Sequence, residues 1–433
     1  MSSSTSPSTD AFNMSTSCAW GCHTVAEGRR AGPKIGSEDI VGRPDLVAKR
    51  FVERVRPWAA PVPADDAPTV AVIGAGPAGL ATAALLRRAN VRAIVLDRDE
   101  RIGSSWADRY DSLRLNTVRW MSDLPGCRME RSLGRWVGRD DLVAYFERYA
   151  AHHRLECRLG EDGAVSTIEP AGHEWVVAGP SSERRVDAVV VATGHSCAPR
   201  MPSWPGAERF SGRFLHAVDY RSPDDHLGAR VLVVGAGSSG GEICVDLAGA
   251  GVDVTWAVRS APQVLPREVV GVPATPFGPA ADVLPDAWLD RIVPWLERRI
   301  YGPRDYLPEP EEPIMWLLAE CKEPMTADGI VELIRSGRVR VVDAVVDLDQ
   351  EGARLVDGSH LAVDEVIAAT GYRTALEPLV GHLGVLDGDG RPTAAVPRPG
   401  LGFVGFRVPL TGTLWAIDQD AHAVAAAIAD RLR

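Results

Sequence analysis

Thr69-Val70-Ala71-Val72-Ile73-Gly74-Ala75-Gly76-Pro77-Ala78-Gly79 decides how this chain is read. The first five residues are a short apolar run, the pattern of a strand buried on both faces. Three glycines follow at GxGxxG spacing, and Leu80-Ala81-Thr82-Ala83-Ala84-Leu85-Leu86-Arg87-Arg88 opens an alanine-rich helix. A second apolar strand, Arg92-Ala93-Ile94-Val95-Leu96, ends on Asp97. Strand, glycine turn, helix, strand and acid, in that order, make a dinucleotide-binding unit. The glycines permit the turn and let backbone approach a pyrophosphate, while the helix N-terminus supplies N–H donors and partial positive charge. Asp97, about twenty residues past the loop, is placed to accept from ribose hydroxyls.

The pattern recurs at Gly235-Ala236-Gly237-Ser238-Ser239-Gly240. Val231–Val234 is its strand, Glu242–Ala248 begins its helix, and Val252–Val258 is the strand that follows. This second strand ends on Arg259-Ser260 instead of an acid. A carboxylate would repel a ribose 2′-phosphate, whereas an arginine can pair with it bidentately. The first loop therefore reads as an FAD site and the second as an NADPH site. The competing reading of Arg259 is a solvated surface arginine.

At 433 residues the chain is long enough for two or three cored domains. A net charge of −11 disfavours generic nucleic-acid or anionic-membrane binding. Seven scattered cysteines suggest reduced thiols in a cytoplasmic protein. Cys18, Cys22 and His23 form half a metal site at most, with no partner pair at zinc spacing, so no metal is expected. No apolar run reaches bilayer-spanning length, and the Ser/Thr-rich start is no secretory signal.

The organisation predicted is α/β, with two Rossmann-like domains and the NADPH domain inserted into the FAD domain. Residues 1–65 form an N-terminal extension, partly disordered, with a short helix at Leu46–Trp58. Residues 66–205 are the first FAD segment, 206–362 the NADPH domain and 363–433 the return of the FAD domain. The crossings fall at two matching segments, Ala192-Thr193-Gly194 and Ala369-Thr370-Gly371. An insertion at about 282–326 carries Trp288, Trp295, Tyr301, Tyr306 and Trp316, which either pack internally or line a substrate pocket.

Between the two loops lies Phe210-Ser211-Gly212-Arg213-Phe214-Leu215-His216-Ala217-Val218-Asp219-Tyr220, which matches the FxGxxxHxxx(Y/F) motif of class B flavin monooxygenases. From residue 69 onward the chain resembles that family, and most of all its YUCCA-like branch. Trp106, Tyr110–Leu115, Leu265-Pro266-Arg267-Glu268, Gly402–Phe406 and Asp420-Ala421 carry the likeness. Tyr220 stands where Baeyer–Villiger relatives usually carry Trp, which tilts away from ester-forming chemistry. The resemblance implies that NADPH reduces FAD, that O2 adds at flavin C4a as a (hydro)peroxyflavin, and that retained NADP shields it from water. One oxygen atom then passes to a small organic substrate. It also implies FAD contacts at Gly74, Gly76, Pro77, Ala78, Gly79, Asp97, Arg98, Ser105, Trp106, Leu115, Thr193, Gly194 and Asp420. The NADPH contacts implied are Gly235, Gly237, Ser238, Ser239, Gly240, Arg259, Ser260, Thr370 and Gly371. Asn116 falls where many members place an asparagine facing the flavin, although the YUCCA branch more often has histidine there. A turn asparagine satisfying its own backbone is the alternative. His216 looks more like a hinge or NADP-positioning residue than a general base.

Substrates open to this reading are aryl-pyruvates, amines and sulfides, with Baeyer–Villiger or N-hydroxylating chemistry as an alternative. A pyridine nucleotide-disulfide reductase shares the two loops but needs a cysteine pair beside the flavin, and no CxxC or CxxxxC follows the first loop. A non-catalytic redox sensor is a further alternative.

Overall fold

The computed structural model describes residues 57–278, 284–319 and 324–433. The helix expected at Leu46–Trp58 lies outside these residues except for Pro57 and Trp58, and the Cys18/Cys22/His23 group lies outside them entirely.

Two five-stranded parallel sheets organise the chain. In the first, the strand order is Leu401–Phe403, Ala188–Val191, Thr69–Ile73, Arg92–Asp97 and Glu156–Leu159. In the second it is Arg213–His216, Glu365–Ala368, Arg230–Val234, Asp253–Ala257 and Val339–Val342. The two lists correspond position by position. Each sheet also carries a three-stranded antiparallel meander immediately before the strand that ends in Ala-Thr-Gly. One meander is Thr167–Val186 and the other Val345–Ala362. The central strands are fully buried, as parallel strands covered on both faces must be.

One expectation is corrected by this register. Residues 363–433 were assigned to the return of the first domain, but Glu365–Ala368 is hydrogen-bonded between Arg230–Val234 and Arg213–His216. It completes the second sheet, and the return crossing falls at Ala369–Gly371. An apolar strand reads alike in either body, so the sequence held no sign of its partners. The two crossings touch. Tyr372–Arg373 pairs antiparallel with Ala198–Pro199, and Arg200 N–H donates to the Gly371 carbonyl at 2.9 Å.

The C-terminal helix, Thr413–Leu432, packs along the first-loop helix, Pro77–Arg88, and their apolar faces share one core with Tyr145, Phe146 and Tyr149. On the far side of that core the entering chain is clamped. Trp58 covers Gly126, where a Cβ would sit 2.6 Å from the indole, and Ala60 N–H donates to His153 Nδ1. Burial, with His152 beside it, pushes His153 down to about 4 from its ordinary 6.5. With a depressed histidine pKa the fold keeps its full stability while the ring is neutral in both states. That stability falls as pH drops below 6.5, because only the unfolded chain then takes the proton. At pH 5 the loss is about 2 kcal/mol. We therefore expect thermal melts of the wild type to fall more steeply from pH 7 to pH 5 than those of His153→Asn. Parallel profiles would exclude this account.

Candidate active site

The two glycine loops adopt the same geometry. Gly74 has φ +115° and Gly235 φ +126°, a conformation that L side chains rarely adopt. A Cβ at either would also lie within 2.5 Å of the carbonyl oxygen of Ala192 or Ala369, so each first glycine packs on its own Ala-Thr-Gly crossing. The third glycines serve packing as well. A Cβ on Gly79 or Gly240 would sit 1.9 or 2.1 Å from the Gly74 or Gly235 carbonyl. These two residues stand behind the loops and do not line the cleft, which corrects their expected contact with cofactor.

The middle glycines differ. A Cβ on Gly76 or Gly237 meets nothing within 4 Å. Each is the N-cap of its helix without a side-chain cap, so the first-turn N–H groups face open space. The Thr193 hydroxyl, at the first crossing, is enclosed without a hydrogen-bond partner. Space, unsatisfied donors and helix dipole together fit the pyrophosphate of a dinucleotide at each loop.

Both loops open into one cleft of about 2420 Å³. Most expected cofactor residues line it: Gly74, Gly76, Pro77, Ala78, Asp97, Arg98, Ser105, Trp106, Leu115, Thr193 and Gly194 on the first side. On the second side are Gly235, Gly237, Ser238, Ser239, Arg259, Ser260, Thr370 and Gly371. Asp97 accepts from Ala75 N–H at 2.5 Å and Asp99 N–H at 3.0 Å, which fixes its carboxylate at the strand tip. Burial pushes its carboxyl up, and those two N–H groups oppose the rise. Arg259 and Ser260 are exposed on the cleft at the end of Asp253–Ala257. Asp420 does not line the cleft; its carboxylate pairs with Arg407 at 2.7 Å. The cleft instead meets the start of the C-terminal helix at Gly412, Thr413 and Leu414.

Phe210–Tyr220 forms the edge strand of the second sheet and the turn leaving it. Tyr220 is fully buried, donating to Asp246 at 2.8 Å. His216 Nδ1 accepts from Val218 N–H, so its other nitrogen carries the proton and donates to the Gly371 carbonyl, both at 3.1 Å. Burial pushes its pKa down, keeping the ring neutral. With both nitrogens engaged, His216 ties the motif to the return crossing, in the manner of a hinge.

Asn116 sits in a polar knot between the two bodies. Arg267 Nε donates to its Oδ1 at 2.9 Å, and an Arg267 terminal nitrogen donates to Glu242 at 3.3 Å. Glu242 also accepts from the Tyr110 hydroxyl, with the Asn116 amide beside it. Burial pushes the Glu242 carboxyl up, against the pull of these three partners. In the sequence Arg267 stands out only within the branch-like stretch Leu265–Glu268, and Glu242 only as the start of a helix. An acid two residues past Gly240, in the first turns of the helix that the loop opens, was the available signal.

The aromatic insertion divides. Tyr301 and Tyr306 pack edge-on in the second core, 6.2 Å apart, while Trp316 lines the cleft. Trp288 and Trp295 do neither and stand 61% and 63% exposed.

Two dinucleotide cradles facing one cleft, each closed by an Ala-Thr-Gly crossing, define a two-nucleotide flavin oxidoreductase. A family model described as pyridine nucleotide-disulphide oxidoreductase matches residues 71–268, the span holding both loops. Among the described residues Cys127, Cys157, Cys197 and Cys244 are all free thiols. Probable indole-3-pyruvate monooxygenase YUCCA1 of Arabidopsis thaliana is 32% identical over 84% of this chain and 90% of its own. Indole-3-pyruvate monooxygenase YUCCA1 of Oryza sativa subsp. japonica is 34% identical over 71% and 77%. The flavin-containing monooxygenase of Stenotrophomonas maltophilia shares the fold, with a TM-score of 0.64 over 83% of this chain and 99% of that one at 23% identity. The chain belongs to the YUCCA-type flavin-dependent monooxygenases. It is an oxidoreductase that uses FAD, NADPH and O2. No helix among the described residues is long and apolar enough to cross a membrane.

Proposed function

We propose that the enzyme oxidatively decarboxylates an aryl-pyruvate. The reaction balances as aryl-pyruvate, O2, NADPH and a proton giving aryl-acetate, CO2, water and NADP. The observation that supports this is the apolar wall formed by Leu289, Ile292, Val293, Trp316 and Leu317 on the cleft that both loops share. Such a wall suits a flat aromatic ring, and the curated relatives bear the name indole-3-pyruvate monooxygenase.

Bound FAD supplies the redox centre at which O2 is activated, and NADPH supplies the hydride. The helix starts at Gly76 and Gly237 hold the two pyrophosphates, Asp97 takes ribose hydroxyls and Arg259 takes a 2′-phosphate. Asn116 offers an amide N–H to the flavin side of the cleft. His216 keeps the second body seated on the crossing. The net charge of −11 argues against generic nucleic-acid binding, and the four free thiols among the described residues accord with a cytoplasmic setting.

The test is product analysis by mass spectrometry with NADPH over indole-3-pyruvate, aromatic amines and thioethers. Indole-3-acetate formed close to one per NADPH is the expected result. NADPH consumption yielding only hydrogen peroxide with indole-3-pyruvate would remove this substrate class. Amine oxygenation is the second reading, and it has one observation in its favour. Among the described residues, the charged groups that the insertion adds to the cleft are Glu311 and Glu312, which attract a cationic amine and repel a carboxylate.

A further inference from the structure

An amide side chain has two ends of nearly equal shape, and its partners decide which end faces which way. At Asn116 those partners are a cation and an anion. The Arg267 guanidinium donates to Oδ1 at 2.9 Å, and the Glu242 carboxylate stands beside the same amide. The opposite orientation would set oxygen against carboxylate and N–H against guanidinium. One N–H of the amide is thereby left for the cleft that Asn116 lines.

Arg267 is itself fixed from several sides. It bonds Glu242 at 3.3 Å and lies 3.6 Å from Asp328, and the Arg267 and Glu242 side chains are each only 12% exposed. The Tyr110 hydroxyl holds the second Glu242 oxygen, and Thr275 reaches the Asn116 backbone carbonyl. Tyr110 and Asn116 come from the first body, whereas Glu242, Arg267 and Asp328 come from the second. Glu242 lies on the helix that the second glycine loop opens. A dinucleotide seated on that loop therefore shares a rigid element with the group that sets the Asn116 amide.

We propose that Arg267 is the positioning residue of this site: by occupying the Asn116 carbonyl it presents an N–H donor, not an acceptor, to the flavin and NADP. This rests on the reading that Asn116 faces the cofactors. Lysine keeps the charge opposite Glu242 but lacks the planar fork that reaches both Glu242 and Asn116. Glutamine would leave Glu242 buried without its cation.

The test uses FAD-loaded Arg267→Lys, Asn116→Leu and the double variant. Two readouts are taken: the Kd of NADP for the oxidised flavoprotein, from its perturbation of the flavin absorption spectrum, and the hydrogen peroxide released per NADPH. Arg267→Lys is expected to retain FAD and a melting temperature near wild type. It should weaken NADP binding roughly tenfold, about 1.4 kcal/mol, and raise peroxide release. In the double variant the lysine should add nothing to the effect of Asn116→Leu. Multiplying effects would show that Arg267 acts independently of Asn116 and overturn the proposal. An Asn116→Leu variant unchanged in both readouts would instead overturn the reading of Asn116 on which it rests.

Discussion

A valine at Gly237 should leave the protein yellow yet unreactive toward NADPH, and a valine at Gly76 should yield protein that no longer holds FAD. Both glycines have extended backbone, φ −84° and −81°, which any residue adopts. A Cβ at either meets nothing within 4 Å. The polypeptide therefore leaves room for a side-chain branch point at either position, in the space before the helix N-terminus. Losing two charge-assisted contacts from pyrophosphate to backbone N–H costs about 3–6 kcal/mol, a weakening of roughly 10²- to 10⁴-fold. Flavin content after purification reads the first site. Anaerobic bleaching of the flavin by NADPH reads the second, with dithionite reduction of Gly237→Val as the control. If Gly237→Val bleached at the wild-type rate, the second loop would not be the NADPH cradle.

Arg259→Glu should invert the preference for the phosphorylated cofactor. The wild-type guanidinium is exposed on the cleft just past the end of its strand, one register position beyond the place that Asp97 holds in the first unit. Hydrogen bonds to a charged group contribute about 1.5–3 kcal/mol, so losing them raises the KM for NADPH by about 10- to 150-fold, before any repulsion by glutamate. The KM for NADH should stay within about twofold or fall. Equal losses with NADH and NADPH would mean that Arg259 does not read the 2′-phosphate. Both variants can be followed in stopped-flow reduction without knowledge of the substrate.

The α/β fold and most of the loop residues that line the cleft were legible because the nucleotide loops are local. Strand, glycine turn and helix occupy one short stretch, and each glycine's role follows from its place in that turn. Even so, the local motif did not show that Gly79 and Gly240 face inward. That depends on the Gly74 and Gly235 carbonyls lying beneath them. The placement of Glu365–Ala368 was illegible for a different reason. An apolar strand fits either sheet, and only long-range pairing assigns it. The same holds for Asp420, whose ion pair with Arg407 depends on how the segment before the C-terminal helix returns. The knot of Tyr110, Asn116, Glu242 and Arg267 draws on three separate stretches of chain, and no periodicity links them. Trp288 and Trp295 fitted neither expectation for the insertion, since one helix can turn some aromatic side chains outward while its Leu289 and Val293 are buried.

The pairing of Ala198–Pro199 with Tyr372–Arg373 carries a consequence for how such an enzyme diversifies. Everything between these dipeptides leaves and re-enters the first body through one doorway, two strands wide. The interposed stretch is thus a cassette whose ends are already neighbours. Its length and contents can change without moving the strands around Thr69–Ile73 or the helix that follows them. The aromatic insertion and its cleft-facing wall lie within that cassette, as does the cradle for the reductant. Lineages can therefore exchange the part that selects substrate and electron donor as a unit, while the flavin-holding frame is inherited intact.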